Sequence, residues 1–343
     1  MIRKTINQTF TCFKYLGSQP PISKLIFIAK FLGVLFATLH IVASAQDFPN
    51  RPIRLVVPFP SGGGVDAVAR TIAEKLAIEL KQPVIVDNKG GAGGALGAAL
   101  VARSAADGYT LLFANNGQAV LPHLQKIDWD PIKDFKPVSS VATYAMVVLV
   151  NSNSPIKTIP DLIQAAKAQP GRITYGSSGL GGPLHLGTEM FRSAAGIDII
   201  HVPYKGNAPM TLALLGQEIS MSMDTLAVSL PHIKSGKFRA LAVTSQRRMT
   251  LLPDVPTIRE VAIPDFDYEG WQAVFTPANT PAPIVARLNA ALNKVIGQPG
   301  VSQRLIELGY EPKPSTELEL GTLIAKDLQV YKKVIQEANI KAE

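Results

Sequence analysis

Cysteine is almost absent from this sequence, since Cys12 is the only one among 343 residues. Once the N-terminal segment described below is removed, the remaining chain has no thiol. That absence excludes structural disulfides, thiolate catalysis and cysteine-ligated metal sites. A chain without a free thiol is compatible with an oxidising compartment.

Acidic side chains are missing from the first 46 residues, which carry five basic ones. An apolar run follows at residues 31–42, and the small residues 43–45 (ASA) come directly after it. This order predicts a secretory signal peptide, residues 1–45, that is cleaved after Ala45. Two alternatives stay open: an uncleaved anchor over residues 25–42, interrupted by Lys30, and a true start near Ser23.

Blocks of lysine and arginine are missing from the rest of the chain. Of the 34 basic residues, 29 follow residue 45, and so do all 26 acidic ones. The net charge is therefore +8 for the full sequence and +3 for the part after residue 45. A chain with so little excess charge and no basic patch is a poor candidate for binding nucleic acid.

Motifs for metal, dinucleotide and phosphate binding are also missing. Residues 91–97 (GAGGALG) lack the G-x-G-x-x-G spacing, and no G-x-x-x-x-G-K-[ST] loop occurs. The histidines after residue 45 form no H-x-H or H-x-x-x-H pair, and they are His123, His185, His201 and His232. We therefore expect no cofactor and no metal. A Ser177–His185–Asp224 hydrolase can be drawn, but no G-x-S-x-G segment supports it.

What the chain does contain is a regular alternation of strand and helix patterns. The pattern predicts strands at residues 53–57, 83–86 and 110–114 and helices at residues 65–80 and 95–106. The β-α-β-α-β order indicates a mostly parallel sheet with helices on both faces.

A second unit begins near Phe135. The apolar run at residues 138–150 exceeds the usual strand length of ~5–6 residues, so we interpret it as two strand segments that cross between domains. Alternation then resumes, and residues 268–275 return the chain to the first unit. The sequence thus predicts domain 1 at residues 46–145 and 268–343, and domain 2 at residues 146–267.

Two glycine-rich turns stand where ligands bind in open α/β sheets, between a strand and the following helix. They are residues 58–64 (PFPSGGG) and residues 175–183 (YGSSGLGGP). Glycines allow close backbone approach, and unpaired amides at a helix start favour an anion. The alternative at each position is an ordinary strand–helix turn. Because one turn comes from each domain, we expect them to face each other across a cleft.

The chain resembles the Bug-type receptors, the extracytoplasmic solute-binding components of tripartite tricarboxylate transporters. The matching segments are residues 52–60 (PIRLVVPFP), 86–88 (VDN), 106–112 (ADGYTLL), 201–206 (HVPYKG), 230–236 (LPHIKSG), 241–245 (LAVTS) and 253–257 (PDVPT). The resemblance extends from about Phe48 to the C-terminus.

This resemblance implies an α/β, two-lobed periplasmic binding protein fold of type II-like topology. Each lobe is a mostly parallel sheet flanked by helices, and two hinge crossings join the lobes. The implied ligand-binding residues are Phe59, Ser61, Gly62, Asp66, Ser177, Ser178, Gly182, Pro183 and Tyr204. Specificity is expected from two loops, the variable loop at residues 115–118 and a loop at residues 144–146.

The implied function is a periplasmic receptor that captures a small organic carboxylate in the interdomain cleft for delivery to a tripartite tricarboxylate transporter. The expected partners are the organic acid and membrane transporter subunits, with no nucleic acid, and the expected state is a monomer. Two alternatives stay open: a carboxylate-sensing subunit that docks on a membrane sensor kinase, and, more remotely, a periplasmic hydrolase. We expect that the chain is not an enzyme.

Overall fold

Strands and helices alternate along the chain, as the sequence predicts. The structure is a computed structural model that describes residues 48–340. The strands are β1 (Ile53–Val57), β2 (Val84–Asn88), β3 (Thr110–Asn115), β4 (Phe135–Asn151), β5 (Thr174–Ser177), β6 (Ile200–Pro203), β7 (Met221–Thr225), β8 (Phe238–Val243), β9 (Glu269–Pro277) and β10 (Glu311–Pro312).

The helices lie between these strands and continue to the C-terminus. They are α1 (Gly64–Leu80), α2 (Ala95–Ala102), α3 (Gly117–Leu124), α4 (Ile159–Ala168), α5 (Pro183–Ala195), α6 (Asn207–Leu215), α7 (Leu226–Lys234), α8 (Ile258–Val261), α9 (Ala282–Ile296), α10 (Pro299–Glu307) and α11 (Glu317–Glu337). A short 3-10 turn, Ala92–Gly94, precedes α2.

Helix α1 shows how the sequence pattern produces an element. Val68, Ile72 and Leu76 recur every four residues and are fully buried, so they form one face against the sheet. The helix ends at Leu80. The next residue, Lys81, has a left-handed φ of 55°, and its N–H donates to Ile78 O at 3.3 Å.

The strands form two parallel groups that antiparallel strands connect. The order is β2-β1-β3-β9-β4-β7-β5-β6, and β8 and β10 also pair with β4. Strand β1 is parallel to β2 and β3, and β5 is parallel to β6 and β7. Strand β9 is antiparallel to β3 and β4, and β4 is antiparallel to β7 and β8.

Strand β4 is one continuous strand of 17 residues, where the sequence predicted two segments. It nevertheless changes partner along its length. Residues Phe135 to Ala145 pair with β9, whereas Met146 to Asn151 pair with β7 and β8. Two register shifts, after Pro137 and after Ser140, interrupt its ladder with β9. Such bulges bend a strand, which lets one long strand serve both groups.

Apolar side chains are buried on both sides of β4. A core that includes Phe191 and Met223 lies with the β5–β8 group, and a second core that includes Leu112 and Phe275 lies with the β1–β3 group. Trp271, on β9, is 1% exposed, and its Nε1 donates to Asp327 Oδ2 at 2.7 Å. This tryptophan therefore packs inside the protein rather than lining a cleft.

Three local expectations need correction. Helix α2 ends at Ala102, four residues earlier than predicted. Residues 115–118 are not a loop, because Asn115 ends β3 and α3 begins at Gly117. Residues 144–146 lie within β4. Buried Asn116 explains the tight turn, since it is hydrogen-bonded to the hydroxyls of Tyr144 and Tyr331.

The N-terminal segment is a separate case. The predicted signal peptide, residues 1–45, lies outside the described residues. Residues 48–50 belong to an N-terminal unit distinct from the compact unit that begins at Arg51. Within residues 48–340, none of the helices has both the length and the apolar character required to cross a membrane.

Candidate functional site

The first glycine-rich turn, residues 58–64, connects β1 to α1. Phe59 is half-buried, whereas Ser61 and Gly62 are exposed. The N-cap of α1 is Gly63, and no side chain among residues 48–340 caps this helix end. The first-turn amides of α1 therefore have no side-chain acceptor, which is the condition for attracting an anion.

The buried carboxylate of Asp66 stabilises this turn through three hydrogen bonds. Its Oδ2 accepts from Gly62 N and from Arg70 Nε, each at 2.9 Å, and its Oδ1 accepts from Asn88 Nδ2 at 2.9 Å. Burial acts to raise the pKa of Asp66, but the hydrogen bonds from Arg70, Gly62 and Asn88 outweigh it and keep the pKa below its usual value. Because its oxygens already have donors, Asp66 shapes the turn rather than offering a free carboxylate to a ligand.

The second glycine-rich turn, residues 175–183, includes the end of β5 and the first residue of α5. Helix α5 begins at Pro183, as predicted, and Gly182 is its N-cap without a side-chain cap among the described residues. Gly181 has a φ of 68°, and a Cβ there would lie 2.5 Å from Leu124 Cδ1. Glycine at 181 thus lets α3 approach the turn closely.

Ser177 and Ser178 take part in the backbone architecture of this turn. Ser177 is fully buried, and its Oγ lies 2.9 Å from Gly179 O and 2.6 Å from His201 Nε2. Tyr204 N donates to Ser177 O at 2.9 Å, and Gly206 N donates to Ser178 O at 3.2 Å. These two backbone hydrogen bonds hold the loop at Tyr204 beside the second turn. The Ser177 hydroxyl makes its hydrogen bonds to groups of the protein itself.

Three stacked rings, of Tyr175, His201 and His185, pack against the second turn. The rings of His185 and His201 are 3.9 Å apart at an interplanar angle of 14°, and Tyr175 stacks on His201 at 4.8 Å. His185 Nδ1 accepts from Gly181 N at 3.0 Å. The Tyr175 hydroxyl donates to Glu189, which also pairs with Arg192 at 2.8 Å.

Neutral histidine suits this arrangement. Burial, with the charges of His201 and Arg192, lowers the pKa of His185 to about 4. Its Nδ1 can accept the Gly181 hydrogen bond only when that nitrogen carries no proton. Sequence reasoning missed the stack, because Tyr175 and His201 meet only as register partners of the parallel strands β5 and β6.

The hydrolase triad considered from the sequence does not assemble. Ser177 contacts His201 rather than His185. Asp224 Oδ1 instead accepts from Asn207 Nδ2 at 2.6 Å and from Thr225 N at 2.7 Å, and burial raises the pKa of Asp224 to about 7. Across residues 48–340, no three His, Cys, Asp or Glu side chains are grouped to hold a metal ion.

The two turns line one shared cleft of about 540 Å³, a volume within the usual range for small-ligand sites. Its lining consists of Phe59, Ala92, Gly93, Asn115, Gly117, Val120, Leu121, Leu124, Gln125, Gly179, Leu180, Gly181, Gly182 and Pro183. Phe59 from the first turn and residues 179–183 from the second thus border the same space.

The cleft brings together only part of the predicted site. Phe59, Gly182 and Pro183 line it. The other predicted residues are not part of its lining: Ser61, Gly62, Asp66, Ser177, Ser178 and Tyr204. Helix α3 supplies a wall that the sequence did not predict. The sequence offered one indication of this wall. Residues 115–118 were expected to contribute to specificity, and two of them, Asn115 and Gly117, line the cleft.

Comparison with known proteins gives a consistent picture. A family model described as the tripartite tricarboxylate transporter family receptor matches residues 68–340. Protein BugT of Bordetella pertussis is 36% identical over 315 residues, which cover 90% of this chain and 97% of BugT.

Solved structures with the same architecture are also similar in sequence. An R. palustris protein solved with adipate is 35% identical with a TM-score of 0.74, covering 86% of this chain and 99% of that protein. The periplasmic binding protein BugD is 32% identical with a TM-score of 0.71, covering 86% of this chain and 100% of BugD. The α/β, two-lobed fold expected from the sequence is thereby confirmed.

Proposed function

The chain belongs to the receptor family of tripartite tricarboxylate transporters, and on that premise we propose that it captures a small organic carboxylate between two lobes and delivers it to such a transporter. BugD is a periplasmic binding protein and the R. palustris protein was solved with adipate, and both facts support a carboxylate ligand for this chain. Capture without chemistry is part of the proposal, so we do not assign the chain an enzymatic role.

The observation that carries the proposal is the cleft. Gly182 and Pro183 from one turn and Phe59 from the other line the same space. The start of α5 there has no side-chain cap among the residues described. Amides at an uncapped helix start favour an anion, and a site that draws on both lobes can shift the population toward a closed state when ligand binds.

We further propose the lobe boundaries predicted from the sequence, with residues 46–145 and 268–343 in one lobe and residues 146–267 in the other. The change of partner within β4 supports them, because pairing with β9 ends at Ala145 and pairing with β7 begins at Met146.

The periplasm is the proposed location, with cleavage after Ala45 and a monomeric mature chain. The N-terminal sequence pattern and the name of BugD as a periplasmic binding protein support this location. Mass spectrometry of the exported protein tests the cleavage position, and analytical ultracentrifugation tests the monomer.

Substitution of Gly182 tests the site. A Cβ at this position has only ordinary contacts, the nearest being Gly179 O at 3.7 Å. We expect Gly182→Glu to abolish carboxylate binding, because its own carboxylate would compete at the start of α5. Gly182→Ala, the matched control, should keep binding within a few-fold. Isothermal titration with a panel of organic acids measures both variants.

Equal binding by Gly182→Glu and the wild type would contradict the site assignment. Failure of the wild type to bind any organic acid would contradict the function. Delivery is tested separately by ligand-dependent pull-down of transporter membrane subunits. A chain that binds acids and instead retains a membrane sensor kinase would favour the sensing alternative.

A further inference from the structure

Much of the cleft lining is apolar. Helix α3 contributes Val120, Leu121 and Leu124, and the second turn contributes Leu180. No ionisable side chain occurs among the lining residues that the structure describes. The cleft lining therefore combines backbone groups of the second turn with apolar side chains.

The two amide side chains in this lining each make one hydrogen bond within the protein. Asn115 Oδ1 accepts from Gly117 N at 2.9 Å, and Gln125 Nε2 donates to Ala92 O at 2.9 Å. Neither is a cation that could neutralise a charged group on the far part of a ligand. A carboxylate placed against such a wall would lose water without gaining a partner, which is strongly unfavourable.

The exposure of Leu180 indicates which part of a ligand lies against the apolar lining. This leucine lines the cleft and is 41% exposed. By contrast, Leu124 is partly buried against the core and approaches Gly181. An apolar ligand segment between these two leucines would bury surface that the protein otherwise leaves in water, which favours binding.

We propose that the ligand is a monocarboxylate with an apolar tail, its carboxylate at the amides of the second turn and its tail along Val120, Leu121, Leu124 and Leu180. This assignment rests on the proposed function and narrows it to one substrate class. A dicarboxylate or tricarboxylate of the same length places its second charge on the apolar wall, and the same cleft therefore selects against it.

Hexanoate and adipate form a matched pair of probes, because both have six carbons and differ only in the far end, methyl or carboxylate. Isothermal titration of the full mature chain should show hexanoate binding at least ~10-fold more tightly than adipate, since sites discriminate strongly against a group they leave unpaired. Octanoate and benzoate extend the series on the apolar side, and malate extends it on the charged side.

A variant of Leu180 tests whether the wall sets this preference. Leu180→Arg places a cation in the cleft at an exposed position, so it should weaken hexanoate and strengthen adipate, each by ~10-fold or more. Leu180→Met should retain the preference for hexanoate. Leu318→Arg, at a position 79% exposed on α11 and outside the cleft lining, should change neither affinity.

The outcomes separate the two proposals. Binding of adipate or malate in preference to hexanoate overturns the monocarboxylate assignment and leaves the receptor function standing. An unchanged preference in Leu180→Arg also overturns it, because the tail would then lie elsewhere. Absence of binding for every acid in the series contradicts the receptor function itself.

Discussion

Several side chains at the second turn act through other residues. The Ser177 hydroxyl bonds to His201 and to Gly179 O, and His185 accepts a hydrogen bond from Gly181 N. The ligand is then expected to meet mainly main-chain groups, whose positions these buried side chains determine. Polar side chains that satisfy one another inside the protein also restrict the turn to one conformation.

His185 makes this turn sensitive to acid. The pKa of His185 is about 4 in the folded chain, against an ordinary value of 6.5. Between these values the unfolded chain binds a proton that the folded chain does not, so stability decreases as the pH falls from about 6.5 to about 4. Protonation would also remove the acceptor for Gly181 N.

The His185→Asn variant should weaken this acid dependence. Its Oδ1 can accept from Gly181 N in place of Nδ1, although the ring stack with His201 is lost. We expect lower stability than the wild type at pH 7, but a loss between pH 7 and pH 4.5 that is smaller by at least ~1 kcal/mol. Urea unfolding at both pH values measures this. The control, His232→Asn on α7, should retain the wild-type loss, and an identical loss in His185→Asn would contradict the assignment.

At the scale of elements, β4 and β9 carry the connection between the two groups of strands. Their ladder pairs Tyr144 with Gly270, and the tyrosine ring covers the glycine. The ring cannot easily move away, because its hydroxyl donates to Asn116 at 2.9 Å and its edge packs against Tyr310 at 5.7 Å.

Substitution of Gly270 should therefore be costly. In Gly270→Ala the new Cβ would lie 2.0 Å from Tyr144 Cζ, and relief of that overlap should lower the free energy of unfolding by about 1–3 kcal/mol. Gly300→Ala, near the start of α10, is the control, because a Cβ there meets open space. It should be neutral or stabilising by up to ~1 kcal/mol. Denaturant unfolding of both variants decides between overlap and a general effect of glycine replacement.

At the scale of the whole molecule, the chain from Arg51 onward forms one compact unit, and β4 belongs to both groups of strands. A strand shared in this way transmits loss of structure from one group to the other. We therefore expect the two groups to unfold together rather than in separate steps.

Phe191→Ala tests this cooperativity. Phe191 is fully buried on α5, where it packs edge-on against Phe266, and its truncation should cost about 3–5 kcal/mol. Both tryptophans, Trp129 and Trp271, lie in the core of the other group and provide a distant probe. Their fluorescence and the far-UV circular dichroism should show the same lowered midpoint. A fluorescence midpoint that stays at the wild-type value would show independent unfolding.

Much of this architecture was predictable, because it depends on local pattern. The alternation of elements, the start of α5 at Pro183 and the glycine-rich turns follow from residue periodicity and from the backbone preferences of glycine and proline. Ordered segments such as residues 201–206 also identified the family. Strand β4 was harder to predict, since its length is acceptable only with bulges and two sets of partners.

The sequence by itself therefore determined the α/β alternation, the family and the two turns that line the cleft. Only the tertiary structure decided that Asp66 bonds to Gly62 N and Ser177 to His201, so that both side chains stabilise the turns. It also decided that Tyr175 stacks on His201 and that α3 supplies apolar side chains to the cleft. The physical reason is that helix and strand patterns are set by neighbours a few residues apart. Contacts across a cleft or between parallel strands join distant segments, and their register is fixed only when the whole sheet assembles.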